Sequence, residues 1–67
     1  MNYISVRFEN SERTYTYISQ MFVSRGDEVI VLTKNGMAIV IVVEVGVLKP
    51  GFECKEIVGR LIRPPQS

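Results

Sequence analysis

Two tyrosines on one predicted strand are the residues of this sequence best suited to contact a ligand. Tyr15 and Tyr17 are separated by one residue in the run Arg13-Thr14-Tyr15-Thr16-Tyr17. Because side chains alternate between the two faces of a strand, both rings fall on the same face. Rings in such a row either fill a small hydrophobic core or form a platform on which nucleic-acid bases stack. The residues alone leave both interpretations open.

Basic side chains could supply phosphate contacts beside such a platform. They fall at predicted turns and strand ends, which a small fold could bring to one rim. Acidic residues are interspersed among them and the net charge is only +1, so an ordinary solvated surface explains the pattern equally well. The basic residues concerned are Arg13, Lys34, Lys49, Lys55, Arg60 and Arg63.

Residues for catalysis are scarce. The chain has no histidine, which removes the commonest general base and the commonest metal ligand. Asp27 and Glu28 are adjacent, and neighbouring side chains of a strand point to opposite faces. Cys54 lies beside Lys55, but the sequence indicates no base or oxyanion site to accompany it. We therefore predict a protein that is not an enzyme and that uses no metal or other cofactor.

Length and composition predict one small soluble domain over residues 1–63, with a short tail at residues 64–67. The chain has 67 residues, 46% of them hydrophobic and 22% charged, and a domain of this size buries only about 60% of its unfolded surface. A single cysteine fits a reducing compartment. The N-terminus lacks a secretory signal, and the apolar run at residues 37–43 is too short to span a membrane. We expect a cytoplasmic protein without membrane contact.

The segments that carry these residues have the patterns of short strands. Residues 3–8 alternate between apolar and polar side chains, which is the period of a half-buried strand. Residues 14–18 are β-branched or aromatic, which also argues against a helix over residues 11–23. The predicted strands cover residues 3–8, 14–18, 28–33, 37–45 and 55–62.

Turn residues separate these strands. Asn35-Gly36 predicts a two-residue hairpin with positive φ at both positions. Gly46 predicts a bulge or bend, and Lys49-Pro50-Gly51 a turn with a left-handed glycine. The fold class that follows is all-β, a five-stranded, small, SH3-like antiparallel barrel. It is favoured over an OB fold because no helix fits between the third and fourth strands.

The order of these segments resembles a known family. They are similar to the N-terminal domain of the primosomal replication-restart helicase PriA and to small phage-encoded proteins of the same pattern. The resemblance spans residues 13–61 and implies a small β-barrel that grips the 3′ end of a nascent DNA strand without catalysis of its own. The segments that carry it are Arg13-Thr14-Tyr15-Thr16-Tyr17, Gly26-Asp27-Glu28-Val29-Ile30-Val31, Gly36, Ile39-Val40-Ile41-Val42-Val43-Glu44-Val45 and Lys55-Glu56-Ile57-Val58.

The resemblance also implies roles for single residues. Tyr15 matches the aromatic residue that stacks on the terminal base, and Lys55 matches a lysine near the DNA end. Gly36 matches a glycine of the binding pocket. Thr16 stands where the family has an aspartate that recognises the 3′ hydroxyl, and a neutral threonine cannot make the charge-assisted hydrogen bond of a carboxylate.

Two hypotheses follow. In the first, a phage or prophage protein binds single-stranded DNA or a recessed DNA end: Tyr15 and Tyr17 stack a base, Lys55 and Arg13 neutralise phosphate. In the second, the chain is an accessory protein that modulates its host. It would dock a host or phage protein, or a second copy as a homodimer, through a barrel edge or an apolar rim. Residues 37–47, apolar on both faces, motivate this alternative.

Overall fold

A computed structural model describes residues 2–62 of the chain as β-strands and loops, with no helix in that range. The strands are β1 (Asn2–Phe8), β2 (Thr14–Ser19), β3 (Glu28–Thr33), β4 (Gly36–Val45) and β5 (Gly59–Leu61). Within these residues no helix is long and apolar enough to cross a membrane. The predicted all-β class and its five strands are confirmed. Arg63 and the predicted tail at residues 64–67 lie outside the described residues.

The five strands form one sheet in the order β2-β1-β4-β3-β5, and every neighbouring pair is antiparallel. The long β4 lies at the centre, between β1 and β3. The ladder between β1 and β4 contains a bulge, because Ser5 faces Glu44 whereas Val6 faces Val42. Val43 is the extra residue, so the bulge precedes the predicted position, Gly46.

The predicted closure into a barrel needs correction. β2 and β5, the two edge strands, do not pair, and only one parallel bridge, Ile18 to Glu56, joins β2 to the segment before β5. The Ile18 N–H donates to the Lys55 carbonyl, and the Ile57 N–H donates to the Ile18 carbonyl, both at 2.9 Å. The next residue, Val58, donates to the Ile30 carbonyl of β3 at 2.7 Å. The predicted last strand is therefore divided between two partners, and only Gly59–Leu61 remains a strand.

The turns also differ from the prediction in detail. The β3–β4 hairpin is present, but Thr33 pairs with Gly36, so its turn residues are Lys34 and Asn35. Gly36 has a φ of +111°, and no residue other than glycine among residues 2–62 has a positive φ. The Thr33 hydroxyl accepts from the Asn35 N–H at 3.1 Å and donates to the Gly36 carbonyl at 2.8 Å. Gly51 does not adopt the predicted left-handed conformation.

The core lies on one face of the sheet, called here the inner face. Residues directly opposite each other in a ladder share a face. The register aligns Val6 of β1 with Val42 of β4, and Val40 of β4 with Val29 of β3. Two loop residues complete the core. Its buried members are Ile4, Val6, Val23, Val29, Val31, Val40, Val42 and Ile57. The other side of the sheet, the outer face, carries the intervening residues.

Candidate functional site

A groove opens at one end of the inner face, where the core reaches the surface. Its volume is about 610 Å³, within the roughly 300–1,000 Å³ that small-ligand sites occupy. β4 begins beside the end of β1, so the β3–β4 turn and the β1–β2 loop lie at the same end of the sheet. The lining residues are Phe8, Ser11, Tyr15, Tyr17, Leu32, Thr33, Lys34, Asn35 and Lys55.

The β1–β2 register places both tyrosines in this groove. Tyr15 faces Val6 and Tyr17 faces Ile4, so both rings project from the inner face. Tyr17 lies deeper and packs against the core, whereas Tyr15 lies nearer the opening and is 41% exposed. The two interpretations of the tyrosine pair therefore apply to different residues: Tyr17 contributes to the core, and Tyr15 offers an accessible ring.

Phe8 holds the Tyr15 ring in position. The two ring centroids are 5.4 Å apart and the ring planes meet at 84°. This is the edge-to-face arrangement that aromatic rings prefer, and such pairs are worth about 0.5–1.5 kcal/mol beyond the area they bury. Phe8 is the inner-face residue that follows Ile4 and Val6 in the alternation of β1. A ligand would therefore meet a Tyr15 ring that is already oriented.

The Tyr17 hydroxyl is held in its neutral form. Burial raises the pKa of Tyr17 above its ordinary value, and the neighbouring Tyr15 acts in the same direction. Both effects disfavour a phenolate because burial and a nearby like charge each penalise the charged form. At neutral pH the base of the groove therefore presents a phenol that can donate or accept a hydrogen bond.

Lys34 and Asn35 reach the groove from the turn between β3 and β4. The Thr33 hydroxyl bonds to the Asn35 N–H and to the Gly36 carbonyl. The positive φ of Gly36 allows the chain to enter β4 directly afterwards. Lys34 is exposed. A well-fixed turn thus presents one ammonium group at the groove.

Lys55 reaches the groove from the opposite side, on the segment that bridges the sheet edges. Its carbonyl accepts the hydrogen bond from Ile18. Because Glu56 lies opposite Ile18, Lys55 and Ile57 point to the other side of this segment, which is the inner side. Ile57 is buried in the core, and Lys55 lines the groove beside the tyrosines.

The charge of the groove has one sign. Among the described residues that line it, the two charged ones are Lys34 and Lys55, and no carboxylate is present. The other polar groups are hydroxyls and the Asn35 amide. Aromatic rings beside ammonium groups suit a flat or extended ligand that carries negative charge.

The remaining predicted residues lie around the groove, outside its lining. Thr16 pairs with Ser5 between the two tyrosines, so its side chain projects from the outer face. Arg13 is exposed in the β1–β2 loop, where its N–H donates to the Ser11 hydroxyl at 3.1 Å. Gly36 follows Asn35, which lines the groove. The structure thus brings together Tyr15, Tyr17 and Lys55.

Sequence reasoning missed several lining residues. Phe8 could have been found from the alternation of β1, since it ends the row that begins with Ile4 and Val6. Lys34 stood among the basic residues at turns, but nothing in the sequence paired the β3–β4 turn with Lys55. The register of β1 against β4 brings the β3–β4 turn to this end of the sheet, and the hydrogen bond from Ile18 to the Lys55 carbonyl places Lys55 there.

Comparison with known proteins identified no relative. No family model, no curated protein and no solved structure matches the chain. The resemblance to the DNA-end-binding domain therefore remains a hypothesis.

Proposed function

We propose that the chain is a non-enzymatic nucleic-acid-binding module whose groove receives a base of single-stranded DNA. Tyr15 stacks on the base, the neutral Tyr17 hydroxyl contacts its edge, and Lys34 and Lys55 neutralise the flanking phosphates. The observation that supports this most is the single groove in which an exposed, oriented tyrosine lies beside two lysines and no described carboxylate.

The proposal differs from the resemblance in its treatment of the DNA end. The Thr16 side chain lies on the outer face, and no carboxylate lines the groove among the described residues, so a free 3′ hydroxyl has no special acceptor there. We propose binding that does not require a DNA end. The phage origin is part of the same proposal, and the resemblance supports it. The cytoplasmic location is also proposed, because a single cysteine fits a reducing compartment.

Fluorescence anisotropy with a labelled single-stranded oligothymidylate tests this function. Base stacking on an aromatic side chain is worth about 1–3 kcal/mol, so Tyr15→Ala should weaken binding roughly 5- to 150-fold, and Tyr15→Phe should restore it. Phe22→Ala is the matched control because Phe22 is exposed and lies outside the groove.

Salt dependence provides the second arm of the experiment. Lys55→Gln and Lys34→Gln should each reduce the slope of log affinity against log salt by about 0.7, the value for one phosphate of a single strand. Lys49→Gln is the control, since Lys49 lies outside the groove lining. Absence of salt-sensitive binding to any oligonucleotide would contradict the proposal.

The outer face of β3 and β4 favours a second candidate function, self-association into a homodimer. Leu32 and Met37 pair across these strands, as do Ile30 and Ile39. Leu32, Met37 and Ile39 are 55%, 69% and 48% exposed. A contiguous apolar surface of this kind commonly marks an interface, and a second copy could cover it through a twofold axis.

Analytical ultracentrifugation tests the homodimer. We expect a dimer that Ile39→Glu converts to a monomer, while Leu48→Glu, a change at the most exposed of the large apolar residues, leaves it intact. A monomer at every concentration of the unmodified chain would contradict this candidate.

A further inference from the structure

The edge of β2 beside the groove has backbone groups that no strand pairs. The Ile18 N–H and carbonyl point away from β1 and bond to the segment at residues 55–57. Since the hydrogen-bonding direction alternates along a strand, the N–H and carbonyl groups of Thr14 and Thr16 face the same edge. Among residues 2–62, no strand pairs with this edge at those two positions.

Residues 2–62 leave this part of the edge uncovered. Phe52, Glu53 and Cys54 lie against Tyr3 and Ile18, whose side chains are on the outer face. The segment reaches the β2 edge only at Lys55, where the bond to Ile18 is made. Two residues of β2 therefore keep their outward donors and acceptors available next to the groove.

We infer that this edge binds an extended acidic peptide, which adds a strand beside β2. Main-chain groups of the peptide would pair with Thr14 and Thr16, as in other complexes formed by strand addition. The peptide residue opposite Tyr15 would share its face and point into the groove. Lys34 and Lys55 line that groove without a carboxylate among its described lining residues, so an acidic side chain is the complementary one.

The pattern of the edge distinguishes a peptide from other occupants. N–H and carbonyl groups alternate along it, and another main chain supplies both the acceptors and the donors that they need. A phosphate backbone has only acceptors, so it would leave the carbonyls without a donor. A second copy of β2 also fits poorly. Its residues, Thr14–Ser19, include no acid, so it would bring tyrosine and threonine to the two lysines.

The test uses a five-residue peptide, acetylated and amidated, with glutamate at its centre and threonine and valine on either side. NMR titration of the labelled full chain should shift the amide signals of Thr14 and Thr16 and those of the groove. Replacing the central glutamate by lysine, or methylating the peptide nitrogens that face the edge, should each weaken binding at least fivefold.

Thr16→Pro provides the matched protein variant. The Thr16 N–H points away from β1, and proline is tolerated at such edge positions, so the β1–β2 ladder should be retained. Thr16→Pro should weaken peptide binding at least fivefold and leave oligonucleotide binding unchanged, and Thr16→Val should preserve both. Circular dichroism checks the fold, and if Thr16→Pro does not fold, the methylated peptide still decides the question.

Three results would overturn the inference. The first is equal binding of the glutamate and lysine peptides. The second is peptide binding that survives both Thr16→Pro and methylation of the peptide nitrogens. The third is a dimer in solution that Thr16→Pro dissociates, since the edge would then belong to a second copy. If the unmodified chain binds the peptide but not the oligonucleotide, that result would count against the proposed nucleic-acid function alone.

Discussion

In β3 and β4 the two faces of the sheet are built from similar apolar residues, and yet they have different surroundings. On the inner face, Val29, Val31 and Val40 are fully buried. On the outer face, Leu32 and Ile39 of the same two strands are about half exposed. Apolar composition alone therefore does not locate the core, because a single sheet can seal only the face around which it curves.

The same comparison separates stability from recognition. The inner face supplies the core along most of its length and becomes a groove only where Phe8, Tyr15 and Tyr17 replace the aliphatic residues. The outer face has no such aromatic row in β3 and β4. We therefore propose ligand contact at the end of the inner face and association between molecules through the outer face. Leu32 lies at the border between the two, because its side chain is on the outer face and also lines the groove.

The largest change in the free energy of unfolding is expected when isoleucine is replaced by alanine on the inner face, and the same replacement on the outer face serves as its comparison. Ile4→Ala removes a fully buried side chain and should lower the free energy of unfolding by about 2–5 kcal/mol, as such core truncations do. Ile39→Ala, at a half-exposed position, should cost well under half as much. Urea denaturation measures both. Equal losses would mean that the outer face is covered, and the comparison would fail.

A smaller effect on stability is expected at the turn that joins β3 and β4. Gly36 has a φ of +111°, so Gly36→Ala should destabilise the chain by about 1–2 kcal/mol through backbone strain. Gly59→Ala is the control, since Gly59 has no positive φ and a Cβ there meets no atom within 4 Å. Thermal unfolding of both variants checks this. A harmless Gly36→Ala would contradict the described turn.

Two substitutions at the turn before β3 should differ by a still smaller amount in stability. The Asp27 carboxylate accepts from the Ser24 N–H at 2.9 Å and lies 3.8 Å from the Arg60 guanidinium. Asp27→Ala should cost about 1 kcal/mol because it removes the turn hydrogen bond together with the ion pair. Arg60→Gln should cost less than about 0.5 kcal/mol because it removes only the partly exposed charge pairing. Urea denaturation of the two variants in parallel compares the losses, and equal losses would show that the ion pair, not the turn hydrogen bond, dominates.

The smallest predicted effect is a pH dependence that originates on the inner face. Burial raises the pKa of Tyr17 in the folded chain, so the folded state holds this proton more tightly than the unfolded state. The corresponding stability is present below pH 10, about the unfolded pKa of tyrosine, and is lost as the pH rises through the folded value.

Urea denaturation between pH 8 and 11 checks this dependence, with Tyr17→Phe as the control. The unmodified chain should lose more stability than the variant over the alkaline part of this range. Parallel curves for the two proteins would mean that Tyr17 is no more buried in the folded chain than in the unfolded one.

The sequence predicted the strands well because their signals are local. Alternation over residues 3–8 and β-branched runs over residues 28–33 placed β1 and β3 correctly or within one residue. The start of the last strand could not be predicted, since Ile57 and Val58 bond to different strands and no local pattern encodes that change of partner. The prediction that the sheet closes into a barrel was wrong for the same reason.

The candidate site was predictable in part. The spacing of Tyr15 and Tyr17 predicted a shared face, and the register confirms it. That only Tyr15 remains well exposed depends on the depth of the core at each ring, which composition does not give. The position of Thr16 on the opposite face follows from strand alternation alone.

If nucleic acid binds at the end of the inner face, NMR chemical-shift mapping with a single-stranded oligothymidylate should reveal it residue by residue. We expect shifted signals at Tyr15, Tyr17, Lys34 and Lys55, with the signals of Met37 and Ile39 on the outer face unchanged. Shifts confined to the outer face, or no shifts at saturating oligonucleotide, would contradict it.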